Sequence, residues 1–151
     1  MTGGQPVASE KPHILFICVG NTCRSVLAEY ITRKKFGRFV EVASAGIRPG
    51  TSGDASNAIY ILEQQLNIDA SSHTPRNVRD LDLAAFDLLV AMDKQIARDL
   101  QQFFPSLPLG RIIQWRIDDP YGDDLEEYKR CAIVISQELK KLPLLQAVQK
   151  C

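Results

Sequence analysis

Residues 13–19 read HILFICV, a near-continuous apolar run with β-branched members, closed by Pro12 in front and Gly20 behind. A run this short and this apolar fits a strand buried on both faces, as in a parallel sheet covered by helices. From Ser25 the period changes. Val26, Leu27, Tyr30, Ile31 and Phe36 recur at helical spacing, and the pattern stops near Gly37. A buried strand that passes through a short polar loop into a helix is the opening of a βαβ unit.

The rest of the chain repeats the alternation. Phe39 to Ala45 reads as a second strand ending at Gly46, and a Gly/Ser/Pro-rich loop leads to a helix over Asn57 to Leu66. Phe86 to Met92 (FDLLVAM) is a third buried strand, followed by a helix over Lys94 to Phe104. Arg111 to Ile117 gives a fourth strand, and Leu125 to Leu142 carries apolar residues on a helical period. Strands alternating with helices predict an α/β fold, a doubly wound, four-stranded parallel sheet with helices on both faces. In such sheets ligands bind beyond the carboxyl ends of the strands, which directs attention to the segments after Val19, Met92 and Ile117.

At 151 residues, 45% hydrophobic, the chain suffices for one domain, predicted over residues 12–151 behind a disordered tail at 1–11 whose MTGGQ start could be an expression remnant. Eighteen basic residues balance eighteen acidic ones, so no global field draws the protein to nucleic acid or to a membrane, and any anion must be held locally. Without an apolar leader or spanning run, a soluble cytoplasmic protein is expected. Cys18, Cys23, Cys131 and Cys151 form no zinc-type pair of pairs, and His13 and His73 lie far apart. Neither a metal nor an organic cofactor is expected.

The segment Cys18-Val19-Gly20-Asn21-Thr22-Cys23-Arg24-Ser25 falls where the first strand gives way to its helix. Backbone N–H groups and the positive helix end can converge there on one anion, a phosphate or similar oxyanion. Gly20 permits backbone angles denied to other residues, and Asn21 tolerates the left-handed conformation. A thiol at Cys18 has its anion stabilised by the helix N-terminus and by Arg24. Arg24 can hold two phosphate oxygens bidentately, and Ser25 can donate a hydrogen bond to the sulfur. Cysteine, five residues and arginine recur by chance; here the spacing comes with a buried strand before it and a helix after it.

CVGNTCRS, together with SAG at Ser44 to Gly46, HTPRN at His73 to Asn77, AMD at Ala91 to Asp93 and DDPYG at Asp118 to Gly122, resembles the low-molecular-weight protein tyrosine phosphatase family and its protein-arginine phosphatase and arsenate reductase relatives. The motifs run in order from about His13 to the last helix. Val26 departs from the pattern, since the family usually has proline at this first helical turn. The resemblance implies a flavodoxin-like fold and hydrolysis of a phosphoprotein through a cysteinyl phosphate, with Cys18 as nucleophile, Arg24 as phosphate ligand and Asp119 as general acid. Residues 19–25 (Val19, Gly20, Asn21, Thr22, Cys23, Arg24 and Ser25) would cradle the phosphate. Asn21, Ser25, Ser44 and His73 would support the loop, Thr22 and Tyr121 would line the pocket, and Cys23 would trap an oxidised Cys18 as a reversible disulfide.

Thr22 stands where tyrosine-specific members commonly carry isoleucine or leucine, and Gly122 where they often carry a second tyrosine. Both resemble the protein-arginine phosphatases, so phosphotyrosine is the family default and phosphoarginine its rival. Self-resolving arsenate reductases need a further cysteine pair after the third strand, and residues 93–110 contain none. Cysteine-phosphorylated subunits of sugar phosphotransferase systems need no acid such as Asp119. Trp115 and Cys131 are expected in the core, Asp118 in solvent and Cys151 in a frayed tail.

Overall fold

In the computed structural model, residues 11–50, 55–120 and 124–149 are described. The elements run β1 (His13–Cys18), α1 (Arg24–Phe36), β2 (Glu41–Gly46), α2 (Ser56–Tyr60) with a π-helical continuation (Ile61–Gln65), β3 (Leu88–Ala91), α3 (Lys94–Phe103), β4 (Ile112–Gln114), α4 (Leu125–Leu139) and α5 (Pro143–Gln149). The four strands form one sheet in the order β2-β1-β3-β4, and every pairing is parallel. This is the doubly wound, flavodoxin-like arrangement. β1 is central because it is apolar beyond the exposed His13: Ile14, Leu15, Phe16 and Ile17 are wholly buried. Leu15 sits between Ala43 of β2 and Leu89 of β3.

Helix α1 packs on β1 and β2 and is covered in turn by α4. Its residues from Arg24 to Thr32 are all buried. Leu27 and Ile31 together bring roughly 4 kcal/mol by area-transfer reckoning. The chain leaves β1 towards β2 on one side and returns to β3 on the other. The carboxyl ends of β1 and β3 therefore form a switch point, where a crevice opens between diverging connections.

Several expected boundaries shift. Phe39 is exposed and closes the turn after α1 through its N–H to the Phe36 carbonyl, so β2 starts only at Glu41. β4 is shorter than its apolar pattern, although the Trp115 and Ile117 N–H groups still reach the carbonyls of Ala91 and Met92. Trp115 packs on Phe16 at 5.8 Å between ring centroids. The helix expected through Leu142 stops at Leu139, and a new one begins at Pro143, whose ring fits a first helical position but not an interior one. Residues 1–10, Tyr121, Gly122 and Cys151 lie outside the described residues, so the expectations placed on them have no structural account.

Candidate active site

Cys18 ends β1 and is buried. Its Sγ lies 2.8 Å from Ser25 Oγ on the first turn of α1, and it accepts the Asn21 N–H at 3.3 Å. The loop between strand and helix thus folds back over the sulfur. Asn21 makes the turn: its φ of 58° is left-handed. Gly20, expected to share that role, is not in the left-handed region, where the described residues are Asn21, Asn67 and Gly50. Asparagine suffices because its short amide can bond locally.

Asn21 is held on every side. Its Oδ1 accepts the Arg76 N–H at 3.0 Å, and its Nδ2 donates to Ser25 Oγ at 2.9 Å and Ser44 Oγ at 2.8 Å. Its backbone carbonyl lies 2.9 Å from His73 Nε2, which must carry the proton because a carbonyl only accepts. Ser44 comes from the middle of β2, and Arg76 reaches the sheet because the Gly46 N–H donates to the Arg76 carbonyl at 2.9 Å. A Cβ at Gly46 would stand 2.6 Å from the Val19 carbonyl oxygen, so only glycine lets the loop approach this closely. The four supports expected from sequence, Asn21, Ser25, Ser44 and His73, form one network.

Arg24 is 2% exposed. Its Nη1 donates to Asp93 Oδ2 at 2.8 Å and to the Ile117 carbonyl at 2.8 Å, and its Nη2 lies 3.8 Å from Asp119 Oδ2. Burial works against the guanidinium, but the Asp93 hydrogen bond and the charges of Cys18, Asp119 and Asp93 raise its pKa. Its buried Nε has no protein partner, a donor to which an oxyanion would be matched. Asp93 caps α3 through the Ile96 N–H at 3.0 Å. Burial opposes its charge too, but the bonds from Arg24 and the α3 backbone hold its carboxyl below the usual range.

Asp119 and Asp118 are both exposed. Together with Arg24, Asp93, Lys94 and Arg116 they line a cavity of about 340 Å³. Arg24, Asp93 and Asp119 therefore meet at the carboxyl edge of the sheet from three separate loops, with Cys18 at the other end of the loop that carries Arg24. Thr22 is buried, with its Oγ1 3.8 Å from Cys23 Sγ. Cys23 Sγ lies 3.6 Å from the Tyr128 hydroxyl, and burial pushes its thiol up to about 11 despite the Tyr128 contact. Cys131 is core, as expected, and burial pushes it up to about 12. Among the described residues no cluster of histidine, cysteine or acidic side chains could hold a metal ion.

A model of the low molecular weight phosphotyrosine protein phosphatases matches residues 13–151. The chain belongs to this family. Arsenate reductase 2 of Staphylococcus saprophyticus is 34% identical over 133 residues, spanning 87% of this chain and 96% of that protein. Among solved structures, the low molecular weight protein tyrosine phosphatase of T. tengcongensis is 32% identical with a TM-score of 0.75, covering 87% of this chain and all of that one. The YwlE arginine phosphatase of Geobacillus stearothermophilus is 25% identical with a TM-score of 0.79, covering 92% and 94%. The family is one of cysteine-based phosphatases, and the fold expected from the motifs is the one observed.

Two residues that bond to this cluster were not named from the sequence as site residues, Asp93 to Arg24 and Glu29 to Ser44. Asp93 orients Arg24, and its place directly after a buried strand, one residue before a helix, was the available signal. Glu29 is 3% exposed; an acid inside the apolar run VLAEYI was visible but unread. No helix among the described residues is long and apolar enough to cross a membrane.

Proposed function

We propose that this chain hydrolyses phosphorylated protein side chains through a cysteinyl phosphate on Cys18, with Arg24 holding the phosphoryl oxygens and Asp119 protonating the leaving group. The observation that carries this reading is the convergence on one loop of a hydroxyl-supported thiol, a buried arginine with an unpartnered Nε, and an aspartate 3.8 Å from that arginine. In-line displacement by sulfur needs no other group. The same aspartate then takes a proton from the water that releases phosphate. The loop residues from Val19 to Ser25 hold the phosphate. A cytoplasmic location fits the reduced thiol that this chemistry requires.

Phosphotyrosine is the first substrate in this reading. Phosphoarginine is the second, favoured by the buried Thr22 hydroxyl in the loop itself, which an aliphatic side chain would replace by an apolar wall. Phosphate release from matched phosphotyrosine and phosphoarginine peptides separates them. Phosphotyrosine turnover that survives Thr22→Ile supports the first; phosphoarginine turnover cut by about a hundredfold in Thr22→Ile, with phosphotyrosine turnover spared, supports the second. Turnover of neither would sink both. Arsenate reduction, the activity named for the Staphylococcus relatives, withdraws two electrons from thiols; without a cysteine in residues 93–110 it would draw on an external thiol.

Cys23 is the proposed partner for an oxidised Cys18. Peroxide converts the Cys18 thiolate to a sulfenic acid, and attack by the Cys23 thiolate on that sulfur releases water and leaves a disulfide. With its thiol pushed up to about 11, Cys23 is mostly protonated at neutral pH. Disulfide formation, followed by mass spectrometry after a peroxide pulse, is expected to speed up about tenfold per pH unit between pH 7 and 9. A pH-independent rate would remove Cys23 as the attacking thiol.

A further inference from the structure

We propose that Glu29 is a positioning residue for the Cys18 chemistry: held by Arg33, its carboxylate orients the Ser44 hydroxyl and, through Asn21, turns the Ser25 proton onto the sulfur. The proposal rests on Cys18 being the nucleophile.

The donor directions in this network follow from the contacts. Asn21 Oδ1 is committed to the Arg76 N–H, which fixes the amide, so both Nδ2 protons go to the two serine oxygens. Each serine oxygen receives a proton and sends its own elsewhere. With Cys18 as the attacking thiolate, that of Ser25 goes to Sγ, 2.8 Å away. Ser44 is fully buried, and its hydroxyl goes to Glu29 Oε1. Without an acceptor there, the Ser44 proton would turn back against the Asn21 amide, two donors would face each other, and Asn21 would release Ser25. The carboxylate at the far end thus sets the direction of the whole chain.

Glu29 needs a charge partner to remain in this place, since an isolated buried carboxylate is costly. Arg33, one helical turn on and 46% exposed, supplies it: its Nη2 lies 2.5 Å from Glu29 Oε2 and 3.0 Å from the Val42 carbonyl. The same guanidinium lies over the Tyr30 ring at 5.0 Å, and Tyr30 meets His73 edge to face at 5.9 Å. His73 in turn donates to the Asn21 carbonyl. Two routes from α1 therefore converge on the one left-handed residue of the loop. The Ser25 proton matters most when Cys18 leaves the phosphoryl group as a thiolate, because charge then develops on sulfur.

The test is Glu29→Gln, which keeps the shape but puts a donor NH2 on one side, so that it cannot accept from both Ser44 and Arg33 as the carboxylate does. A loss of about tenfold in kcat is expected, the effect of about one charged hydrogen bond, with KM within about twofold and with cysteinyl phosphate accumulating in acid-quenched samples. Phosphate-protectable alkylation of Cys18 by iodoacetate should slow by a similar factor. In a Ser44→Ala background Glu29→Gln should cost almost nothing more, because its effect passes through that hydroxyl. Losses that multiply in the double variant, or kcat and alkylation both within twofold in Glu29→Gln despite a lowered Tm, overturn the proposal. If Glu29→Gln does not fold, Ser44→Ala and Arg33→Gln carry the test, and unchanged alkylation in both overturns it. A wild-type protein without phosphatase turnover would sink the phosphatase reading alone, since the alkylation rates still judge Glu29.

Discussion

Cys18→Ser is expected to abolish turnover, by at least about ten-thousandfold in kcat, while phosphate still binds. The serine oxygen would keep hydrogen bonds to Ser25 and to the Asn21 N–H, the two groups now 2.8 and 3.3 Å from the sulfur, so the loop keeps its shape. An alcohol in that place remains protonated at neutral pH, however, and neither attacks nor leaves as a thiolate does. Steady-state release from an aryl phosphate, with phosphate affinity measured by competition or calorimetry, reads both quantities. A variant retaining more than about 1% of kcat would rule out the covalent route.

Arg24→Lys is the second large effect, with kcat/KM expected to fall about a thousandfold. The guanidinium reaches Asp93 and the Ile117 carbonyl with Nη1 and Asp119 with Nη2, and leaves Nε for an oxyanion. An ammonium is a point charge and cannot divide itself between these partners and a phosphate. Loss of inhibition by inorganic phosphate should accompany the loss of rate, whereas a variant with weak turnover but intact phosphate affinity would contradict the proposed role.

The same substitution alters acid stability. Asp93 has its folded pKa depressed, so its pairing contributes stability above its ordinary value near 4, and that contribution is lost as pH falls through the folded value. With Arg24 replaced by lysine the depression should shrink. The variant should then lose stability at a higher pH than wild type during an acid titration followed by circular dichroism. Coincident acid transitions would show that Arg24 is not what depresses Asp93.

The sequence by itself determined the central strand, the loop and the helix that follow one another from His13 to Phe36, because a change from a continuous apolar run to helical spacing is a local signal. It also carried the candidate residues as ordered motifs, and Cys18, Ser25, Asn21, Ser44 and His73 come together in one hydrogen-bonded network. Local signals were weaker where elements end. Phe39 and Trp115 are apolar enough for strands, yet only neighbouring chains decide how far a ladder extends.

Tertiary structure alone decided how distant residues meet. Asp93 and Asp119 reach Arg24 across 69 and 95 positions because the strand order β2-β1-β3-β4 brings the ends of β1, β3 and β4 to one edge. The partners of Asn21, the buried position of Glu29 and the raised thiol of Cys23 likewise depend on what packs behind the loop. Hydrogen-bond direction and desolvation act over a few ångströms in space, and sequence spacing reports such distances only within one helix or one turn.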